Sequence, residues 1–146
     1  MTIRRAEVDD RERLTPLIRE FYAIDGHEYD SARVESGLIP LLRDDRHGQV
    51  WIVEDEGSAV GYAVVAWSWS LESGGLDCIL DEVYVRTRGG GLGGELLEHA
   101  VREASAFGAA VIFLETERPN NGARRFYTRH GFEAEDSVWM MRRIAR

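Results

Sequence analysis

The sequence predicts one mixed α/β sheet with helices on both faces, and three observations carry that expectation. Strand-like and amphipathic helical segments alternate from one end to the other. A Gly-rich stretch joins a strand to a helix past the middle of the chain. No repeat, low-complexity tract or linker interrupts the order, and 146 residues suit one ordinary domain, residues 1–146, with a single core.

Residues 3–6 read as a first strand. Asp9 and Asp10 then stand where they can cap a helix whose Leu14, Leu17, Ile18 and Phe21 recur at helical spacing. Pro16 falls inside that helix and is expected to kink it or delay its start. After a polar, aromatic connection a second amphipathic segment places Val34, Leu38, Leu41 and Leu42 on one face, weakened by Gly37 and Pro40. Residues 49–54 and 60–70 are rich in β-branched and aromatic side chains and flank Asp55-Glu56-Gly57-Ser58, a hairpin signature. Residues 77–85 form another strand, 92–106 a helix, and 110–116 a short buried strand. Asn120 or Asn121 caps a last helix that Gly131 ends, and residues 132–135 and 138–142 are expected to close the sheet as two strands.

Eighteen basic against 26 acidic side chains give a formal net charge of −8, which argues against a nucleic-acid partner held by its phosphates. No apolar run approaches the roughly 18 residues of a membrane span, and the first residues lack a signal core, so the expected location is cytoplasmic with no membrane partner. The single cysteine, Cys78, lies in an apolar stretch and reads as an inert core thiol. The four histidines are far apart with no paired ligand at a helical or turn spacing, so no metal is expected. Arginines gather late in the chain and acids early. That suits an anion held by the second half and a cation received by the first, and solvated surface charge explains it equally well.

The Gly-rich stretch follows Val83-Tyr84-Val85 and runs Arg88-Gly89-Gly90-Gly91-Leu92-Gly93-Gly94. Glycines let the backbone bend tightly and approach a ligand, and the helix that follows presents unpaired N–H groups and its positive dipole end. The combination predicts an anion cradle. No P-loop lysine follows it and no acidic residue closes a dinucleotide-type unit, so the usual nucleotide folds are disfavoured.

Arg88-x-x-Gly91-x-Gly93 resembles the acyl-CoA pyrophosphate motif of the GNAT superfamily of N-acetyltransferases. A second block, Asn120-x-x-Ala123-x-x-Phe126-Tyr127-x-x-x-Gly131-Phe132, is similar to that family's later signature. The resemblance implies a GNAT-like, mostly antiparallel sheet whose two central strands, residues 77–85 and 110–116, splay apart to admit the pantetheine arm of acetyl-CoA, the acetyl donor. It assigns main-chain bonds to Val83 and Val85, beside Tyr84, the pyrophosphate to Arg88, Gly89, Gly90, Gly91, Leu92, Gly93 and Gly94, and the far side of the arm to Asn120 near Phe126. Between Val85 and Arg88 the chain is two residues shorter than the common family pattern. That shortening is expected to rotate the loop or to be relieved by fraying of the strand at Val85.

An alkyl amine has a pKa near about 10.4 and must lose a proton before it attacks a thioester. The resemblance gives Tyr127 the role of proton donor to the departing sulfur. For the base, Asp81 and Glu82 are expected on opposite faces of their strand, and the residue pattern does not choose between them; His27 is a third candidate, read more readily as a surface histidine. Tyr22, His27 and Tyr29, with Asp25, Glu28 and Asp30, lie in the connection that similar folds drape over the acceptor, and Trp67 and Trp69 share a face of the neighbouring strand. Aromatic and acidic groups suit a cationic amine, while core packing accounts for the tryptophans as well. The expected function is acetyl transfer to a primary amine, with a small cationic metabolite as acceptor. A protein or peptide amine is the first alternative, and a non-catalytic CoA-binding module the second. Trp139, Met140 and Met141 supply apolar surface for a homodimer or close the core.

Overall fold

A computed structural model describes residues 1–145. The chain divides into two compact units, Met1–Glu115 and Thr116–Arg146. The first holds a five-stranded sheet in the order β1-β2-β3-β4-β5, with β1 Thr2–Arg5, β2 Gly48–Asp55, β3 Ser58–Ser70, β4 Gly75–Val85 and β5 Ile112–Phe113. All neighbours run antiparallel except β4 and β5, which are parallel.

Helices α1 (Arg11–Asp25) and α2 (Ser31–Arg43) cover one face of the sheet, and α3 (Leu92–Phe107) covers the other. The alternation of β2 and β3 explains the two layers. Val50, Ile52, Tyr62 and Val64 point into a core with Leu14, Leu17, Ile18, Leu38 and Leu42. Residues one step out of phase, among them Trp51, Val53, Ala63 and Val65, are buried on the α3 side, where Leu96, Leu97, Ala100 and Ala104 repeat at helical spacing. Cys78 is fully buried, and burial pushes its thiol up to about 11, so it carries little thiolate at neutral pH.

Pro16 does not delay α1, which runs unbroken from Arg11 to Asp25 and ends at Gly26 with φ +74°. Likewise α2 passes through Gly37 and Pro40. Its start is fixed by the Asp30 carboxylate accepting from the Arg33 N–H at 3.1 Å. Burial of one apolar face outweighs the propensity cost in both helices.

The strand at 110–116 is shorter than its sequence suggests. The β4–β5 ladder pairs only Cys78 and Ile79 with Ile112 and Phe113. Beyond it β4 continues to Val85 with no strand neighbour on that side among the described residues, so the central strands part. In the second unit α4 (Asn121–Arg129) is capped by Asn120, whose Oδ1 accepts from the Ala123 N–H at 3.0 Å. Gly131, at φ +87°, turns the chain away, and the Phe132 N–H bonds the Tyr127 carbonyl. The expected closing strands at 132–135 and 138–142 are absent: residues 132–145 hold neither helix nor strand. Phe132, Val138 and Trp139 are strand formers while Glu133, Ala134, Glu135 and Asp136 are not, and a strand exists only where its backbone groups find a ladder, which among the described residues this segment lacks.

One polar brace ties the first strand to the sheet and to α1. Arg4 clasps Asp10 with both terminal nitrogens at 2.8 Å while its Nε donates to Glu54 at 2.6 Å, and Arg13 reaches the other Glu54 oxygen at 2.7 Å. These cations, with the Glu7 N–H at 2.8 Å, hold the buried Asp10 carboxyl below its ordinary range. A carboxyl whose folded pKa is depressed adds stability above its unfolded pKa, and that stability is lost as pH falls through the folded value. Asp10→Ala is therefore expected to lower the unfolding free energy by about 2 kcal/mol at neutral pH. Urea titrations of the two proteins should converge as pH falls below about 4.

Candidate active site

Glu82 stands on the face of β4 that looks toward α1, opposite Val64 of β3. Its carboxylate is gripped from two elements. The Tyr22 hydroxyl near the end of α1 donates to Oε2 at 2.6 Å, and the Tyr62 hydroxyl of β3 donates to Oε1 at 2.6 Å. Tyr62 is fully buried and Glu82 half-buried. Desolvation pushes the Glu82 carboxyl above the ordinary glutamate range, against the two hydroxyl donors, which pull it down. Both phenols are pushed far up by burial and by the carboxylate, so they keep their protons.

Aromatic rings wall this carboxylate. Phe21 lies 6.1 Å from Tyr22, 6.5 Å from Tyr62 and 5.8 Å from Tyr84, and Tyr22 meets the edges of His27 and Tyr29 at 6.0 Å each. The Arg19 guanidinium sits 4.9 Å over the Tyr29 ring, so that face already holds a cation. His27 pairs with Asp25, Nε2 to Oδ2 at 2.8 Å.

Asp81 does not simply oppose Glu82. The β3–β4 register jumps from Val64↔Glu82 to Val65↔Leu80, which makes Asp81 the extra residue of a β-bulge. The residue is exposed, yet neighbouring protein desolvates its carboxyl and raises its pKa, and its charge bears on Tyr22, Tyr62 and Glu82. The bulge brings both acids to bear on one cluster, where strict alternation would have separated them.

A second brace joins α1 to the end of β4. Glu20 accepts from the Tyr84 hydroxyl at 3.0 Å and from the Arg86 guanidinium at 2.6 to 3.2 Å. The Arg86 N–H also bonds the Val60 carbonyl at 2.9 Å. The strand is thus not frayed at Val85, as its shortened approach to Arg88 suggested; it is extended by one ladder bond and pinned. Directly after it Gly89 and Gly91 take φ of +90° and +78°, conformations that L side chains rarely adopt. Gly91 is the N-cap of α3, so the loop delivers the chain straight to the free N–H groups of that helix, with Leu92, Gly93 and Gly94 in its first turn. A Cβ on Gly89, Gly90 or Gly91 would meet nothing within 4 Å. Conformation and open access, not crowding, call for glycine here, and the donor set fits an anionic phosphate.

The structure brings together Tyr22, His27, Tyr29, Asp81, Glu82 and Tyr84, and leaves Trp67 and Trp69 apart. Trp67 opposes Cys78 on the α3 face, stacks on Phe107 at 4.3 Å and 2°, and donates from Nε1 to the Asp45 carbonyl. Trp69 is 76% exposed and lies over Gly75. The two tryptophans do share a face, but it is the one turned away from Glu82. In the second unit Tyr127 packs edge-on against Phe126 at 5.2 Å and Phe132 at 5.8 Å, with none of α4 fully buried. Sequence reading passed over Tyr62 and Glu20, and it counted Arg86 only among the late arginines suited to an anion, where the structure pairs it with Glu20. Only the alternation of β3 against β4 contained a signal for Tyr62, since an antiparallel neighbour of Glu82 and Tyr84 must share their face.

The comparisons agree with this architecture. The family model for the acetyltransferase (GNAT) family matches residues 12–132. An uncharacterized N-acetyltransferase of Archaeoglobus fulgidus is 31% identical over 142 residues, covering 94% of this chain and 96% of that protein. Among solved structures, the integron cassette protein HFX_CASS3 from the mobile metagenome of Cole Harbour Salt Marsh superposes with a TM-score of 0.87 at 27% identity, over 99% of this chain and 91% of that one. A putative acetyltransferase from Arthrobacter sp. FB24 gives 0.84 at 25% identity, over 99% and 96%. With a sheet whose central strands part beside a glycine-led helix, and with a match across most of its length, the chain belongs to the GNAT family of acetyltransferases.

Proposed function

We propose that this protein transfers the acetyl group of acetyl-CoA to a primary amine, with a small cationic metabolite as acceptor and Glu82 as general base. The observation that carries the reading is a half-buried carboxylate, raised by desolvation and held in place on the strand next to the parted sheet edge. Acetyl-CoA, when bound, supplies an activated thioester carbon. On the protein's side, main-chain groups of Val83 and Val85 offer the unpaired edge of β4 to the pantetheine amides. The Arg88 side chain, the N–H groups of Gly89 to Gly94 and the α3 dipole receive the pyrophosphate.

Glu82 takes the proton from the acceptor ammonium, so that a neutral nitrogen attacks. A carboxyl whose pKa is raised by desolvation is a better match to that task than an ordinary glutamate. The Tyr127 hydroxyl gives its proton to the departing sulfur, and the second proton, shed by the nitrogen once it is acylated, restores the phenol through solvent. Asp81, open to solvent beside Glu82, and the acids Asp25, Glu28 and Asp30 favour a cation at the entrance. Release of CoA with a panel of polyamines, aminoglycosides and amino-acid derivatives checks the reading. Turnover with a small cationic amine is expected. Peptide amines outpacing every small one would move the acceptor to the peptide class, and acetyl-CoA binding with no turnover on any amine would leave a binding module.

Tyr127→Phe removes one hydroxyl and almost no apolar volume, so its effect isolates the acid role. The expected outcome is a kcat lower by roughly ten- to a thousandfold near neutral pH, narrowing as pH rises, with acetyl-CoA affinity almost unchanged. An unchanged rate in a folded variant would reduce Tyr127 to a packing aromatic.

We further propose that two copies pair through the C-terminal segment in the cytoplasm, where Val138, Trp139, Met140, Met141 and Ile144 are all at least 71% exposed. Light scattering should give the mass of a dimer, and Trp139→Glu with Met141→Glu should give a monomer.

A further inference from the structure

We propose that Tyr22 and Tyr62 are positioning residues for the base, a two-hydroxyl clamp that fixes the Glu82 carboxylate and sets the pH at which it can take a proton. The inference rests on Glu82 being the base, and it gives Tyr22 a different task from contacting the acceptor.

A glutamate has three rotatable bonds, and a carboxylate free to turn would spend little time aimed at an incoming nitrogen. Here each oxygen accepts one short bond, and the donors come from different elements: Tyr22 from α1 and Tyr62 from β3. Two donors on the two oxygens fix both the position and the plane of the group. Bonds from neutral hydroxyls to a charged acceptor are stronger than neutral pairs, and they favour the ionised form. Each oxygen keeps a further lone-pair site, so the clamp leaves the carboxylate able to accept a proton.

The anchoring of the donors makes the clamp rigid. Tyr62 is fully buried between β2 and β4, and Tyr22 is wedged among Phe21, His27 and Tyr29. Two residues earlier on α1, Glu20 holds Tyr84 of the same strand and Arg86 just past its end, so this end of α1 is tied to the β4 segment at two levels. The charged and titratable groups acting on Glu82 are few. Tyr22 and Tyr62 lower its pKa, His27 from the connection after α1 lowers it further, and Asp81 on its own strand raises it. Deleting one clamp hydroxyl removes a lowering influence and leaves the desolvation in place. The base then becomes protonated at a higher pH and is less well aimed at every pH.

The experiment is the pH dependence of kcat/KM for the acceptor in wild type, Tyr22→Phe, Tyr62→Phe and Glu82→Gln, on whichever amine the panel identifies. Circular dichroism and melting confirm that each variant is folded. Either tyrosine variant alone suffices if the other fails to fold. The acid limb is expected to move to higher pH in both tyrosine variants, with kcat at the plateau lower by about tenfold and the KM for acetyl-CoA unchanged. Glu82→Gln should abolish the limb and lower kcat at least a hundredfold. If Glu82→Gln abolishes the limb but the folded tyrosine variants titrate like wild type, the clamp is overturned and the base assignment stands. If Glu82→Gln keeps both rate and limb, the base assignment itself fails and the clamp falls with it.

Discussion

A single carboxylate that must stay ionised while largely withdrawn from water governs how the first unit is assembled around its site. Glu82 cannot be buried next to apolar side chains without partners, since an unpaired charge there would simply protonate. The solution is two tyrosines, one buried and one partly buried, each donating a hydrogen bond from its hydroxyl to one oxygen. This requirement links three elements. β4 must present Glu82 toward α1, β3 must set Tyr62 beside it, and the last turns of α1 must reach far enough to deliver Tyr22. Pro16 and Gly26 are compatible with that reach because the helix is held by its buried Leu14, Leu17 and Ile18 face and not by propensity.

The same strand serves the opposite partner with its backbone. Because β5 leaves β4 after Ile79, the far edge of β4 keeps its main-chain groups available, while its side chains at Glu82 and Tyr84 look toward α1. In the proposed reaction the donor thioester and the base would use the backbone and a side chain of one strand, without competing for the same atoms. The chain between Val85 and Arg88 is short, and its tether is firm: Arg86 is held by Glu20 and by the Val60 carbonyl. The turn into α3 then falls to Gly89 and Gly91, the two glycines whose φ is positive. The brace is exposed, so its role is one of geometry more than of stability.

What could be read in the sequence was what is local. The Gly-rich turn, the amphipathic faces of α1 and α3, the hairpin at Glu56-Gly57 and the cap at Asn120 each depend on neighbours a few residues away, and each is found. What could not be read depends on which strand lies beside which. Trp67 and Trp69 share a face by parity, but parity does not say which face, and that face packs against α3. Asp81 and Glu82 alternate in an unbroken strand, yet a bulge set by the pairing with Val64 and Val65 turns the rule aside. Tyr62 reads as one more core aromatic until Glu82 is known to lie across from it. Residues 132–142 include the strand formers Phe132, Val138 and Trp139, but strands are made by partners, and the described residues give them none.

Glu82 is tuned between desolvation and two hydroxyl donors, and its own titration reads that balance without an intermediary. Selective ¹³C labelling of glutamate, with the Glu82 Cδ signal assigned by its loss in Glu82→Gln, follows protonation without reference to activity. The account predicts a midpoint above the ordinary glutamate value of 4.5, coincident with the acid limb of turnover. A midpoint at or below that value would contradict it, because a carboxylate so placed would be an ordinary surface acid and not a base prepared by burial.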